Sequence, residues 1–189
     1  MNYPKQDPFT HLIPVVLQGA EQDGIISPNH LVPILEHCLR QGFTSLSLHR
    51  LLGSIHRGIQ DLSIDAYIVL FSVVNLAKQK KVTIKVDQTL YLLKKNFGGQ
   101  LWGLKDFSTQ DLVSLLKNLA EIRDQDVAFA HTFIQEVFKR NILKTCTPDQ
   151  MCQLFKVIYS YSKFYEEAFL DAHTILCSRM DEIPANWRN

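Results

Sequence analysis

Apolar residues return along this chain at steps of three and four, leaving one side of each segment apolar and the other polar. That period is the mark of α-helices laid on a core. The only competitor for a strand, residues 82–86, is flanked by Lys80 and Lys81, contains Lys85 and leads into a further helical pattern, so it reads as a loop. Four hydroxyl residues, Ser27, Ser63, Ser108 and Thr147, stand where apolar periods begin. Each side-chain oxygen can accept a hydrogen bond from a first-turn amide. Pro28 and Pro148 follow two of them, at the helical position where a missing N–H costs nothing.

Aligned on these four residues, the chain repeats. Leu31, Ile34, Leu35 and Cys38 follow Ser27 at the same offsets as Tyr67, Leu70, Phe71 and Val74 follow Ser63. Leu112, Leu115, Leu116 and Leu119 follow Ser108 in the same way, and Met151, Leu154, Phe155 and Ile158 follow Thr147. Successive starts are about 40 residues apart, too far for one helix and right for a helix pair. The second helices are predicted over 46–58, 86–97, 127–141 and 165–180. One hairpin cannot bury its own stripe, so the pattern predicts an all-α fold of stacked αα-hairpins. This is a short, curved α-solenoid of about four hairpins, with a helix over 10–20 covering the open side of the first. An irregular helical bundle is the alternative. The division that follows is an N-terminal extension and capping helix at 1–26, a hairpin repeat domain at 27–183 and a tail at 184–189. Pro33 falls inside the first helix and is expected to kink it or delay its start. Gly42, Gly58, Gly98, Gly99 and Gly103 fall at breaks, where a positive φ is easily accepted.

Composition narrows the function classes. The 189 residues are 46% hydrophobic and 21% charged, which is ordinary for a globular chain. Twenty basic residues against 19 acidic leave a net charge of +1, so contact with nucleic acid has to come from a local patch. The scattered Cys38, Cys146, Cys152 and Cys177 form no CxxC pair and read as reduced, buried small hydrophobes. No apolar run approaches the roughly 20 residues of a membrane span, and no targeting segment is visible at the N-terminus. Phosphate loops, HExxH pairs, nucleophile elbows and kinase signatures are all missing. No catalytic residue, cofactor or metal is therefore expected.

Candidate contacts are clusters of charge or aromatic rings, each open to a blander reading. His49–Arg50 and His56–Arg57 recur after seven residues, which returns both arginines to nearly one helix face. That ridge suits phosphate or an acidic protein surface, or is simply a solvated face; the two histidines lack a third ligand for zinc. Lys78, Lys80, Lys81 and Lys85 gather at a turn, with Lys94 and Lys95 one helix later. Lys139, Arg140 and Lys144 end a helix, where cations also complement its dipole. The site proposed for nucleic acid is Arg50, Arg57, Lys80, Lys81, Lys94 and Lys95. Tyr159, Tyr161, Phe164 and Tyr165 offer stacking surfaces but read better as interior packing. Trp102 and Trp187 are the candidate anchors for a protein partner, Trp102 with inward packing as its alternative.

The stretches STQDLVSLLKNLAEI (108–122) and TPDQMCQLFKVIYSYSKF (147–164) resemble the first helices of heptatricopeptide-type or octotricopeptide-type hairpins in FAST-kinase-like and RAP-domain proteins of organellar RNA metabolism. The shared features are a hydroxyl cap, a Gln and a leucine-rich face. The chain lacks a recognisable RAP domain, a strong positive charge and any repeat position that reads as a base-selecting code. The resemblance implies a non-catalytic scaffold subunit of a large organellar assembly in the mitochondrial matrix. A mitochondrial ribosome component contacting rRNA and neighbouring proteins is the leading case. The alternative is a protein-only adaptor, or an accessory subunit of a respiratory or ATP synthase complex.

Overall fold

The computed structural model describes residues 15–16, 18–19, 26–42, 45–82, 84–123 and 126–183. Among these there is no strand. The helices are α1 (Pro28–Gln41), α2 (Ser45–Arg57), α3 (Ile64–Gln79), α4 (Val86–Asn96) and α5 (Thr109–Ile122), followed by α6 (Val127–Lys139), the single-turn α7 (Ile142–Thr145), α8 (Pro148–Ser160) and α9 (Glu166–Ser178). The chain divides into two compact units, 1–101 and 102–189. In the first unit α1 packs on α2 and α3, and α3 on α4. In the second α5 packs on α6 and α8, α8 on α9, and α7 on both α6 and α9. Both units are therefore stacked αα-hairpins. Of the helix expected over 10–20, positions 15, 16, 18 and 19 are helical. Its other positions lie outside the described residues, as does the tail with Trp187.

All four predicted caps form. The hydroxyl oxygens of Ser27, Ser63, Ser108 and Thr147 accept from the amides of Asn29, Ala66, Asp111 and Gln150 at 3.1–3.3 Å. At Ser108 and Thr147 the bond is returned, because Asp111 and Gln150 accept from the cap amides and close capping boxes. Every position of the repeated stripe is buried except Ile34 and Phe155, which are half-exposed. Neighbouring first helices are also pinned at their first turns. Asn29 donates to the Asp61 carbonyl and accepts from the Ser63 amide, and Gln150 donates to Gln110. Fully buried Tyr67 donates to the Leu93 carbonyl at 3.1 Å, tying α3 to α4. Burial pushes its hydroxyl pKa far up, so it remains a neutral donor.

Some expectations change. Helix α1 begins at Pro28 and runs through exposed Pro33, so its start is not delayed. Pro33 lies one turn in, where its missing N–H deprives only the first-turn carbonyl of Asn29. Among the described glycines only Gly42, closing α1 at φ 78°, uses a positive φ. The other left-handed positions belong to Lys81, Arg123 and Asn141. Gly58 is needed for space instead, since a Cβ there would lie 2.3 Å from Cγ of Pro28. Cys177 is exposed, while the other three cysteines are buried as expected.

The Pro28 ring opens α1 and cannot swing aside as a long side chain would. Gly58→Ala is therefore expected to cost about 1–3 kcal/mol by overpacking. Gly98→Ala, with no atom near its added carbon, should stay within about 0.5 kcal/mol. Urea unfolding of both variants checks this, and equal costs would show that the contact with Pro28 relaxes freely.

Candidate functional site

Charge is distributed unevenly between the two units. Residues 1–101 hold ten basic and seven acidic residues, whereas 102–189 hold ten and twelve. The imbalance sharpens over 45–101, with eight basic residues against three acidic. The near-neutral total thus hides a basic first unit.

In that unit Arg50 and Arg57 are exposed on α2, and Lys95 is exposed and Lys94 half-exposed on α4. His56 joins the two helices, its Nε2 lying 3.0 Å from the Thr89 hydroxyl. Since that hydroxyl donates to the Lys85 carbonyl at 2.9 Å, it accepts from His56, which assigns the neutral ring's proton to Nε2. Burial, then the nearby Lys85 charge, lowers the His56 pKa. Arg57 leans on the Ser54 hydroxyl at 3.0 Å, and the Lys95 ammonium sits 5.7 Å from the centre of the Tyr91 ring. Lys80 and Lys81 occupy another corner. The Lys80 ammonium donates to the Leu39 and Arg40 carbonyls at 2.9 and 2.8 Å, completing the C-terminus of α1. Lys81 is exposed at its left-handed position beside it.

The second unit is organised by two arginines that sequence reading placed in a charge cluster or passed over. Arg140, closing α6, donates to the Phe107 and Leu104 carbonyls at 2.6 Å each and to the buried Glu136 carboxylate at 2.5 Å. Arg179, closing α9, donates to the Cys146 and Leu143 carbonyls at 3.1 and 2.9 Å and to the Glu182 carboxylate. That bond raises the Arg179 pKa and holds Glu182 below its ordinary value. Arg140 follows Ser108 by the same interval as Arg179 follows Thr147, and in both hairpins the carbonyl partners stand one and four residues before the cap. In the first unit Gln100 makes the corresponding contact, donating to the Ile59 carbonyl four residues before Ser63. The signal was present in the sequence, because the two arginines are spaced as their caps are. Only a comparison carried beyond the first helices finds it.

Aromatic placement departs from expectation. Tyr161 is buried, but Tyr159 and Phe164 are more than 60% exposed. Tyr165 stacks flat on His131 with centroids 3.7 Å apart, and burial lowers the pKa of that imidazole. Trp102 is half-buried, edge-on to Phe107 at 5.3 Å. Beside α6 lies an open cavity of about 490 Å³ lined by Leu104, His131, Thr132, Gln135, Lys139 and Ala168, among others. Among the described residues no group of three or more His, Cys, Asp or Glu side chains could hold a metal. Among them also no helix is long and apolar enough to cross a membrane.

A scan of protein-family models, a search of curated proteins and a search of solved structures each return no match to this chain.

The arginine clamp and the half-buried His56 imidazole each have a measurable consequence. Lysine cannot reproduce the guanidinium fork, so Arg140→Lys should cost about 1.5–3 kcal/mol through lost charged hydrogen bonds. Lys139→Ala, removing a side chain 79% exposed, should stay within about 0.5 kcal/mol. Denaturant titration of the pair is the measurement; similar losses would dismiss the clamp. For His56, a lowered folded-state pKa means that the unfolded chain binds more protons near pH 6.5. Its contribution is whole above the ordinary value of 6.5 and is lost as pH falls from there toward the lower folded-state pKa. Stability should thus decline from about pH 7.5 to about pH 5.5, and His56→Gln should flatten the decline measured by urea midpoints.

Proposed function

We propose that the protein is a non-catalytic helical-repeat scaffold subunit of a large ribonucleoprotein assembly, holding RNA phosphates with its first unit and protein neighbours with its second. The observation that carries this reading is the excess of eight basic over three acidic residues across 45–101, exposed largely on α2, α4 and the turn between α3 and α4. Arg50, Arg57, Lys81, Lys94 and Lys95 are the groups that meet phosphate. Lys80 adds charge at its corner while its ammonium is held by α1. Contacts of this kind neutralise the backbone and read no bases, so sequence preference is weak. The resemblance of the repeat to organellar RNA-metabolism hairpins favours a mitochondrial setting, with the ribosome and its rRNA as the leading case.

The protein-only adaptor reading draws on a different observation, the exposed rings of Tyr159 in α8 and of Phe164 in the turn that follows it. RNA binding separates the two. On the ribonucleoprotein reading the intact chain binds single-stranded RNA at low salt, and Arg50→Gln with Arg57→Gln lowers the slope of log K against log salt by about 1.4, leaving helical circular dichroism unchanged. Fluorescence anisotropy with labelled RNA over graded salt measures it. An unchanged slope removes these arginines from the site, and no binding at low salt leaves the adaptor reading.

A further inference from the structure

The hairpins α5–α6 and α8–α9 superpose in sequence when Ser108 is laid on Thr147. The same shift carries Asp126 to Tyr165 at the starts of the second helices, and Arg140 to Arg179 at their ends. Their burial can therefore be compared position by position. In α5–α6, against which α7 and α8 pack, Leu116, Ala130, Ile134 and Val137 are all buried. The matching residues of α8–α9 are Phe155, Phe169, His173 and Leu176, and every one is half-exposed or exposed. All four positions carry a larger side chain than their counterpart, or a ring, and the rings are those of Phe155, Phe169 and His173. They form a continuous cluster, with Phe155 5.7 Å from Phe169 and 6.3 Å from His173, and Tyr159 5.7 Å from Phe169 between ring centres. Met180, 45% exposed, extends the α9 stripe by one further turn.

A second observation concerns the linker. The first helices α3, α5 and α8 are each entered through a short helical turn and then a buried apolar residue: Ile59–Asp61 then Leu62, Leu104–Asp106 then Phe107, and α7 then Cys146. The same sequence of features recurs after α9, where the turn Met180–Glu182 leads into buried Ile183. A turn and buried apolar residue like those that precede α3, α5 and α8 thus follow α9 as well.

From these two observations we propose that the α8–α9 face is a docking site for a helical hairpin of a partner protein, seated as α7 and α8 are seated on the hairpin before. The partner's first helix presents an apolar stripe to Phe155 and Phe169. Its flanks are basic, because residues 147–183 hold six acidic residues against three basic, with Glu166, Glu167 and Asp171 exposed along α9. Those carboxylates also oppose pairing of this face with itself. The inference deepens the scaffold reading above and does not depend on RNA, so the RNA titration and the experiment below fail separately.

Cys177 supplies the reporter. It is the exposed cysteine, it lies at the edge of the face, and its sulfur is 3.7 Å from His173. A second copy of residues 147–183, with Cys177→Ser in that copy only, is inserted after Ile183 of the full chain, and maleimide labelling of the original Cys177 is timed. Labelling should slow at least tenfold against the parent, and Phe169→Glu in the original hairpin should restore it. In the source cell a permeant maleimide should label Cys177 at least tenfold more slowly than in the purified protein, with the same rescue by Phe169→Glu. An unslowed thiol in the extended chain overturns the fit to a hairpin, and an unslowed thiol in the cell overturns the partner. Protection that grows with concentration of the purified parent, with a dimer in sedimentation, assigns the face to a second copy and overturns the proposed occupant.

Discussion

A two-helix hairpin has one apolar side too many. When α5 folds against α6, the Leu112, Leu115, Leu116 and Leu119 stripe still needs a further surface, and α8 provides it. Each fully buried leucine is worth roughly 1.5–3 kcal/mol relative to exposure, so the incentive to stack outweighs any single cap or ion pair. The hydroxyl caps set where each helix starts and hence which residues face the neighbour. The polar bridges from Asn29 and between Gln110 and Gln150 fix the register of adjacent first helices. Burial supplies the attraction, and these directional contacts choose one arrangement out of many slid or rotated ones.

The same division explains what could be read from the chain. Helix starts and stripes were legible because a cap bond spans two or three residues and a stripe repeats within a few turns, so local order carries both. The predicted second helices agree with the observed ones to within about two residues at either end, the usual fraying of such boundaries. Contacts between distant residues were not legible. Lys80 is recruited by carbonyls 40 and 41 residues earlier, and nothing near it distinguishes it from Lys81. Gly58 is constrained by Pro28, a full hairpin earlier in the chain, although at a break it resembles any other turn glycine. Of the candidate site, Arg50, Arg57, Lys94 and Lys95 were legible as a type and density of charge. Their link through His56 and Thr89 was not.

Whole-chain charge proved a poor guide for the same reason that whole-chain hydropathy would have been. Summing to +1 merges a basic unit with an acidic one, so the total conceals the excess in each. The exposure of Tyr159 and Phe164 was missed because a ring next to a hairpin turn is ordinarily interior. The inference held for Tyr161 and not for Tyr159, whose matching residue one hairpin earlier is the small Ala120.

The arginine clamps also bear on how the molecule breathes. Arg140 fastens the end of α6 to the segment just before α5, so the contact joins the two extremities of one hairpin and closes it into a ring. Fraying from either tip then requires release of the guanidinium from two carbonyls and a buried carboxylate together. The amides of its two helices should then exchange with solvent through one shared opening, as a single foldon. Hairpin α1–α2 is fastened differently, by contacts with its neighbour that run from Asn29 to Asp61 and from Lys80 to the end of α1. Sub-global opening of that hairpin is accordingly tied to the hairpin beside it.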